Sequence, residues 1–464
     1  MKKIYFLVGI MVFLVSCTNG FFETNDQLYC PNCNVIIINV ELLRADFTGI
    51  VNGEYDSTPN INEFFKNGII FTQAQASSGE TLRSLTSTFT GMETFFNTHS
   101  KLRYNGRLRT IDNASTLAQV LQKQRYTTQA VVQGEGLELG NHIDRGFDQY
   151  DILSEKTLIE DLVKNFTTSF KQQKNKVFYY LHSHSLHRPY VNSKGIPEDP
   201  ESLLIPIRKD FKREIHNLNL RNQYRKKFNK SDFGENLPKV LENVSALNKQ
   251  VSFTLEDVEE LRFIYSQQVR YIDESLMPLF KLLEDHFINN SIILFFSNHG
   301  DSLFDNGIIG HGVAYQSNAH VPLVMLHPNI KKQKIIDEPI SLIDIVPTIY
   351  ELLGIRFDEY MGGVSLTPLI DDSIDNNEYK RQYVFGDNFQ DGYVREGDWK
   401  LISVGGKFKE LYNLKKDPFE RTIVTQENQE LADHLFSVFT KNKMKQRDYA
   451  SRYVKSEGRP DLIE

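Results

Sequence analysis

Short runs of β-branched and aromatic residues alternate along this chain with stretches of helical periodicity, a pattern that predicts an α/β architecture with a largely parallel central sheet. The clearest runs are Val35–Ile38, Val177–Tyr180 and Ile292–Phe296, and each gives way at once to polar residues. Glu41 follows the first, a His-rich stretch follows the second, and Ser297-Asn298-His299 follows the third. Ligands of open α/β sheets bind beyond the carboxyl ends of the strands, so these three endings are expected to converge. Helical spacing is plain at Leu261, Ile264, Tyr265, Val269 and Ile272 and continues into Leu279 and Leu282. From about Tyr383, the residues Val394, Trp399, Leu401 and Ile402 predict a small strand-rich unit closed by a helix near Leu431 to Phe439. Residues 192–255 differ, with Lys and Arg clustered from Arg208 to Lys230 and no sustained apolar period. They read as a solvated helical insertion or as a basic lip that attracts an anionic substrate.

The length of 464 residues fits a large domain with a smaller appendage. A formal net charge of −7 gives no basic field of the kind that gathers nucleic acid, so no nucleic-acid partner is expected. Met1-Lys2-Lys3 followed by the apolar run Ile4 to Val15 reads as a signal peptide, being too short for a bilayer-spanning helix of roughly 20 residues. Leu14-Val15-Ser16-Cys17 resembles a bacterial lipobox, which implies cleavage before Cys17, a lipid on its sulfur, and an exported protein held on a membrane of the cell envelope. The alternative is an ordinary secretory signal with an incidental cysteine. Of the two remaining cysteines, Cys30 and Cys33 form either a small disulfide or two free thiols. No second cysteine pair is present to complete a zinc site with them.

A carboxylate at the end of an apolar strand, as at Glu41, is costly unless something pairs with it, and a metal ion is a natural partner. Asn298 and His299, with Asp301 close by, add an amide oxygen and an imidazole, a donor set suited to a divalent cation. Taken singly, each fits equally well as a capped strand end or a buried polar group satisfied by backbone. The segment Ser77 to Leu85 opens a helical pattern that runs through Phe89, and a threonine at such a start, Thr81, is by default an N-cap. A helix start also favours anions, and a metal touching the hydroxyl would make an alkoxide reachable.

Several segments in order carry a specific resemblance. Asn34-Val35 through Glu41-Leu42-Leu43-Arg44-Ala45-Asp46, then Thr58-Pro59-Asn60-Ile61, Thr81-Leu82-Arg83-Ser84 with Phe89-Thr90-Gly91, His187-Arg188-Pro189-Tyr190 and Ser297-Asn298-His299-Gly300 are similar to the successive signatures of sulfatases in the alkaline phosphatase superfamily. Asp344 to Thr348, Gly363 to Leu366 and Glu410-Leu411-Tyr412-Asn413-Leu414 with Asp417-Pro418 continue the series into a C-terminal sulfatase subdomain. The resemblance implies an alkaline phosphatase/sulfatase-like fold with a small C-terminal α+β subdomain. The expected divisions are a signal peptide 1–16, a lipid-anchored tether 17–33, a catalytic domain 34–382 and the small subdomain 383–464.

Two departures bear on the chemistry. Sulfatases proper place Cys or Ser at the nucleophile and convert it to formylglycine, whereas this chain has Thr81, which cannot give that aldehyde. A threonine there is similar to phosphoethanolamine transferases and lipoteichoic acid synthases, and the stretch from Asn306-Gly307 through His311-Gly312 to Ala319-His320-Val321-Pro322 also looks like the transferase pattern. The second departure is Asn298 where the family has Asp. The resemblance implies Glu41, Asn298 and His299 as ligands of a divalent metal, zinc or manganese rather than calcium because of the imidazole, with Thr81 completing the shell. His187 and His311 are then expected to hold the transferred group or a second metal and to protonate the leaving oxygen. The expected substrate is an anionic ester, a lipid or glycan of the cell envelope. Three function classes follow: a phosphoester hydrolase or phosphoethanolamine-type transferase, a sulfuric ester hydrolase acting on glycans, and a metal-poor binding homologue.

Overall fold

A computed structural model describes residues 28–456 apart from 52–55, 95–97, 105–106, 111–113, 135, 142, 156, 171–175, 188–244, 247–248, 251–254, 372–378, 380, 389–390 and 407. Its centre is an eight-stranded sheet of β1 (Asn34–Val40), β2 (Ile69–Phe71), β3 (Thr127–Gln133), β4 (Gln149–Leu153), β5 (Val177–Ser183), β6 (Ser291–Phe296), β7 (Leu323–Leu326) and β8 (Lys334–Ile336). The strand order is β8-β2-β7-β6-β1-β5-β3-β4. β1 lies between β6 and β5 and is parallel to both, while β7 runs against its neighbours β6 and β2. The three apolar runs are therefore adjacent strands, and their carboxyl ends lie side by side: Asn39 is in register with Phe296 on one side and His182 on the other.

Both faces of this sheet are covered, which is why its central strands are apolar at successive positions instead of alternating with polar residues. Ile36, Ile38 and Val40 of β1 pack with the apolar stripes of α1 (Pro59–Phe64), α4 (Ile159–Ser169), α5 (Leu255–Ser275) and α6 (Met277–His286). Val35 and Ile37, on the opposite face, pack with those of α2 (Thr81–Thr90), α3 (Leu117–Lys123) and α7 (Ile345–Leu353). The periodic stretch from Leu261 to Leu282 is divided at Leu276 between α5 and α6. Pro278 stands in the first turn of α6, where its missing N–H costs nothing.

At the amino-terminal end of β1, Cys30 and Cys33 are joined in a disulfide, and Tyr126 Oη donates to the Cys33 carbonyl at 2.8 Å. The leader, Cys17 and most of the basic stretch 192–255 lie outside the described residues. Within that stretch Ser245–Ala246 and Lys249–Gln250 pair antiparallel, so this part is strand where a helix was expected.

The C-terminal region is a four-stranded antiparallel sheet, β9 (Val384–Asp387), β10 (Asp391–Glu396), β11 (Trp399–Val404) and β12 (Phe408–Asn413), with α8 (Gln429–Ser456) across it. Period-two alternation splits its side chains between two partners. Val394, Leu401 and Leu411 face Ala432, Leu435 and Phe439 of α8. Tyr393, Ile402 and Tyr412 face Val313, Ala314 and Tyr315, just past His311. A buried polar network seals this contact: Lys400 pairs with Glu420 at 2.9 Å, and Tyr315 Oη donates to Glu410 at 2.8 Å.

Candidate active site at the strand ends

The turn that ends β1 aims Glu41 at the neighbouring strand ends. Glu41 N–H donates to the Ser183 carbonyl at 3.0 Å, which keeps the residue in line with β5. The next residue, Leu42, is buried with φ at 68°, a left-handed conformation that costs a residue with a Cβ of order 1 kcal/mol or more. Tyr265 of α5 holds the turn there, donating through Oη to the Leu42 carbonyl at 2.6 Å and accepting from Arg44 N–H at 3.1 Å. Arg44 is itself fixed by Asp46, Asp305 and the Asp301 carbonyl.

The Glu41 side chain is 1% exposed and both of its oxygens are engaged. Oε1 accepts from the Thr81 hydroxyl, while Oε2 accepts from His182 Nε2 at 3.0 Å and His184 Nδ1 at 2.8 Å. Burial by itself would raise this carboxyl's pKa, but the charge at His184 and the hydrogen bonds from both imidazoles hold it well below the usual value. The His182 tautomer follows from its other neighbours. Asn39 Oδ1 accepts from Asn298 N–H at 3.1 Å, which orients the Asn39 amide so that Nδ2 donates to His182 Nδ1 at 2.8 Å. His182 Nε2 then carries the proton that Glu41 accepts. Burial lowers the pKa of His182 and keeps it neutral.

Thr81 is the first residue of α2, and the N-cap position belongs to Glu80. The capping role expected of Thr81 is thus not the one it has, because the helix starts one residue earlier than an N-cap threonine requires. Its hydroxyl instead reaches Glu41 and stands 3.2 Å from His299 Nε2. His299 Nδ1 donates to the Gly300 carbonyl at 3.0 Å, so the lone pair of Nε2 faces Thr81. Ser84, one turn along the helix, donates to the Asn298 carbonyl at 2.6 Å and ties α2 to the end of β6.

His187 stacks on His184 with ring centroids 4.2 Å apart and places Nε2 3.4 Å from Nε2 of His311. His311 Nδ1 donates to the Gly79 carbonyl at 3.2 Å, leaving its Nε2 as the acceptor for His187. The His299 and His311 rings lie 4.9 Å apart. Glu41, Thr81, His187, His299 and His311, scattered along the sequence, thus meet in one cluster, with Asn298 beside them. Arg188 to Tyr190, the remainder of the His187 motif, lie outside the described residues. Three members were not singled out from the sequence: Asn39, His182 and His184. The available signal was the spacing of His182 and His184, which puts two imidazoles on the same side of the strand next to Glu41.

Among the described residues no group of three or more His, Cys, Asp or Glu side chains stands at metal-holding spacing. The donors that do converge are of mixed type. Glu41 Oε1 and His299 Nε2 are 3.8 Å apart and Thr81 Oγ1 lies between them, close to the separation of about 3.4 Å between neighbouring ligands on a tetrahedral cation with bonds near 2.1 Å. These three are donors of the nitrogen and oxygen types that a divalent cation accepts, with Thr81 hydrogen-bonded directly to Glu41 as folded. Asn298 is placed differently: its Oδ1 accepts from Asn39 Nδ2 at 3.2 Å, and its Nδ2 is buried with no hydrogen-bond partner. As folded it therefore presents an N–H group, and ligation by its oxygen requires the amide to turn away from Asn39. Asn298→Asp would keep one oxygen for Asn39 and put the other where the unpartnered nitrogen stands. Isothermal titration with zinc or manganese is expected to show tighter binding in this variant, by roughly tenfold or more for the added charge. Equal or weaker affinity would mean that the site is built for an amide.

The family model described as Sulfatase matches residues 33–355, and the one described as N-sulphoglucosamine sulphohydrolase, C-terminal, matches residues 304–446. An arylsulfatase of Clostridium perfringens is 24% identical over 467 aligned positions, covering 88% of this chain and 94% of that protein. A choline-sulfatase of Rhizobium meliloti is 29% identical over 174 positions, covering 36% of this chain and 34% of that one. Among solved structures, the phosphonate monoester hydrolase of Agrobacterium radiobacter superposes with a TM-score of 0.66 at 17% identity, over 90% of this chain and 96% of that one.

Proposed function

Because the chain belongs to the sulfatase family and is a hydrolase of sulfuric or phosphoric esters, we propose that its nucleophile is Thr81 and that it acts on phosphoric esters, passing the group to water or to a hydroxyl of an envelope glycan or lipid. The observation that carries this reading is the Thr81 hydroxyl, held between the buried carboxylate of Glu41 and the lone pair of His299 Nε2. Threonine is a secondary alcohol whose oxidation gives a ketone, so the oxygen itself is the reactive atom. It attacks phosphorus, the Oγ–P bond forms and the bond to the leaving oxygen breaks. The hydroxyl proton leaves along the hydrogen bond to Glu41 Oε1. The leaving oxygen takes its proton from the His187–His311 pair in its singly protonated, imidazolium form, and the pair is left as two neutral imidazoles with His187 Nε2 and His311 Nε2 3.4 Å apart. Water or an acceptor hydroxyl then gives its proton to that pair and attacks phosphorus, the Oγ–P bond breaks, and Thr81 recovers the proton held by Glu41.

Glu41, Thr81 and His299 would hold a divalent metal, zinc or manganese by the imidazole among them. Bound there, it would lower the hydroxyl pKa and neutralise charge on the transferred group. A sulfuric ester is the second reading, favoured by the arylsulfatase relative and the C-terminal match. The leader and Cys17 support an exported chain tethered to a membrane by lipid, and among the described residues no helix is long and apolar enough to cross one. Mass spectrometry after separate incubations with p-nitrophenyl phosphate, a phosphodiester and p-nitrophenyl sulfate is expected to find a covalent adduct on the Thr81 peptide from a phosphate substrate. An adduct and turnover from the sulfate alone would favour the second reading. Binding of all three with no turnover would favour the binding homologue.

A further inference from the structure

Residues 76–79, which end one residue before Thr81 with Glu80 between, are held from outside the catalytic sheet. Tyr393 Oη of β10 donates to the Ala76 carbonyl at 2.7 Å, and Asp387 N–H of β9 donates to the Ser77 carbonyl at 2.9 Å. Asn388, buried at the end of β9, turns Oδ1 toward this segment and accepts from Ser78 Oγ at 2.9 Å and from Gly79 N–H at 2.8 Å. A backbone N–H can only donate, so this contact fixes which way the Asn388 amide faces. The carbonyl of the same glycine accepts from His311 Nδ1 at 3.2 Å. The far side has no slack, since a Cβ on Gly79 would lie 2.9 Å from Gly312 N and 3.0 Å from Asn318 Oδ1. Asp387 also reaches the helix itself, through Arg83 at 3.0 Å, and is held in turn by Lys443 of α8 at 2.8 Å.

We propose that Asn388, supplied by the C-terminal sheet, is a positioning residue that sets the orientation of Thr81 and His311 through the peptide groups of Gly79. The proposal rests on Thr81 being the nucleophile. The argument is geometric: Gly79 is bonded through its N–H to Asn388 and through its carbonyl to His311, and the chain enters the nucleophile helix two residues later. Rotation of this segment would move the Thr81 oxygen relative to Glu41 and His299, and misplacement of a reacting atom by about 1 Å costs on the order of 100-fold in rate. Removing the acceptor leaves two inward-facing donors, Ser78 Oγ and Gly79 N–H, free to turn toward other partners. The C-terminal subdomain thereby becomes part of the catalytic apparatus without touching the substrate.

The test uses the full chain and compares Asn388→Ala with Asn388→Asp, which keeps an acceptor oxygen at the same reach. Asn388→Ala is expected to lower kcat by about 10- to 100-fold with KM within about twofold of wild type. Asn388→Asp is expected to recover most of the loss, with melting temperatures of the two variants close to each other. If Asn388→Ala does not fold, Asn388→Ser, whose hydroxyl stops short of Gly79, takes its place with the same expectation. Wild-type kcat in Asn388→Ala, or no recovery in Asn388→Asp, would overturn the assignment, as would a fall in folded protein that accounts for all of the lost rate. Thr81→Ala is measured alongside. If it still turns over substrate, the nucleophile reading falls and this inference with it; if it is dead while Asn388→Ala keeps its kcat, the positioning role alone falls.

Discussion

Thr81→Ala is expected to abolish ester turnover while leaving the protein folded. The two consequences separate because of where the residue sits. It is the first residue of α2 and not its N-cap, so the helix loses no capping hydrogen bond. What the fold loses is the donor to Glu41 Oε1, a buried acceptor whose loss of a partner costs about 1–3 kcal/mol. Glu41 remains anchored through Oε2 by His182 and His184. Deleting a covalent nucleophile, in contrast, costs on the order of a millionfold in kcat where it has been measured in an unrelated hydrolase. The measurement is a side-by-side assay of wild type and variant on p-nitrophenyl phosphate, a phosphodiester analogue and p-nitrophenyl sulfate, with a melting curve for each protein. Phosphoester activity that survives in the variant would refute the nucleophile assignment.

Glu41→Gln should come close to that effect with even less change in shape. The amide can offer its oxygen to His182 and His184, so the two imidazole N–H groups keep an acceptor. Its nitrogen would then face Thr81, and a group that accepted the hydroxyl's hydrogen becomes one that donates to the oxygen. That reversal occupies the lone pair needed for attack and removes the single carboxylate among the donors that fit a cation. A loss of about 100- to 10,000-fold in kcat/KM is expected, as for removal of a positioned acid–base group, together with weaker zinc or manganese binding by titration. The charge also leaves a pH signature. The Glu41 carboxyl is held well below its usual 4.5, so it stabilises the fold above that pH, and the contribution is lost as the pH falls through the lower folded value. The variant lacks this term and should lose less stability than wild type on acidification below about 4.5. Wild-type turnover in Glu41→Gln would show that neither the carboxylate nor its charge serves the reaction.

The family matches reach across most of the chain, yet position 81 is a threonine, which cannot give the aldehyde of formylglycine. On the proposed reading, Thr81 makes the hydroxyl oxygen the reacting atom, and Asn298 leaves one carboxylate and one imidazole among the converging donors. These two positions give the proposed phosphoester chemistry its basis in this chain, and both are open to single substitutions.

How much of this was legible in the sequence depends on the range of the interactions involved. The runs Val35–Ile38, Val177–Tyr180 and Ile292–Phe296 announce themselves as buried strands because burial on two faces demands apolar side chains at every position. A polar residue directly after such a run marks the end of a strand, and ligand sites of α/β sheets lie at those ends, so Glu41, Asn298 and His299 could be named from local pattern. Resemblance of ordered motifs added Thr81, His187 and His311. The direction in which each side chain is spent was decided elsewhere. His182 and His184 meet Glu41 because β5 happens to be the neighbour of β1 in this register, and a strand's sequence does not state its neighbour. The Thr81 hydroxyl is free of capping because α2 begins at that residue, a boundary that the periodicity leaves open by a position or two. Asn298 turns its oxygen to Asn39, 259 positions away, and Asn388 reaches Gly79 across 309. The sequence by itself determined the strands, their ends and the reactive groups, since propensity and burial act over a few neighbouring residues. Only the tertiary structure decided which of those groups touch, because hydrogen bonds between distant segments depend on sheet order and packing that no local pattern encodes.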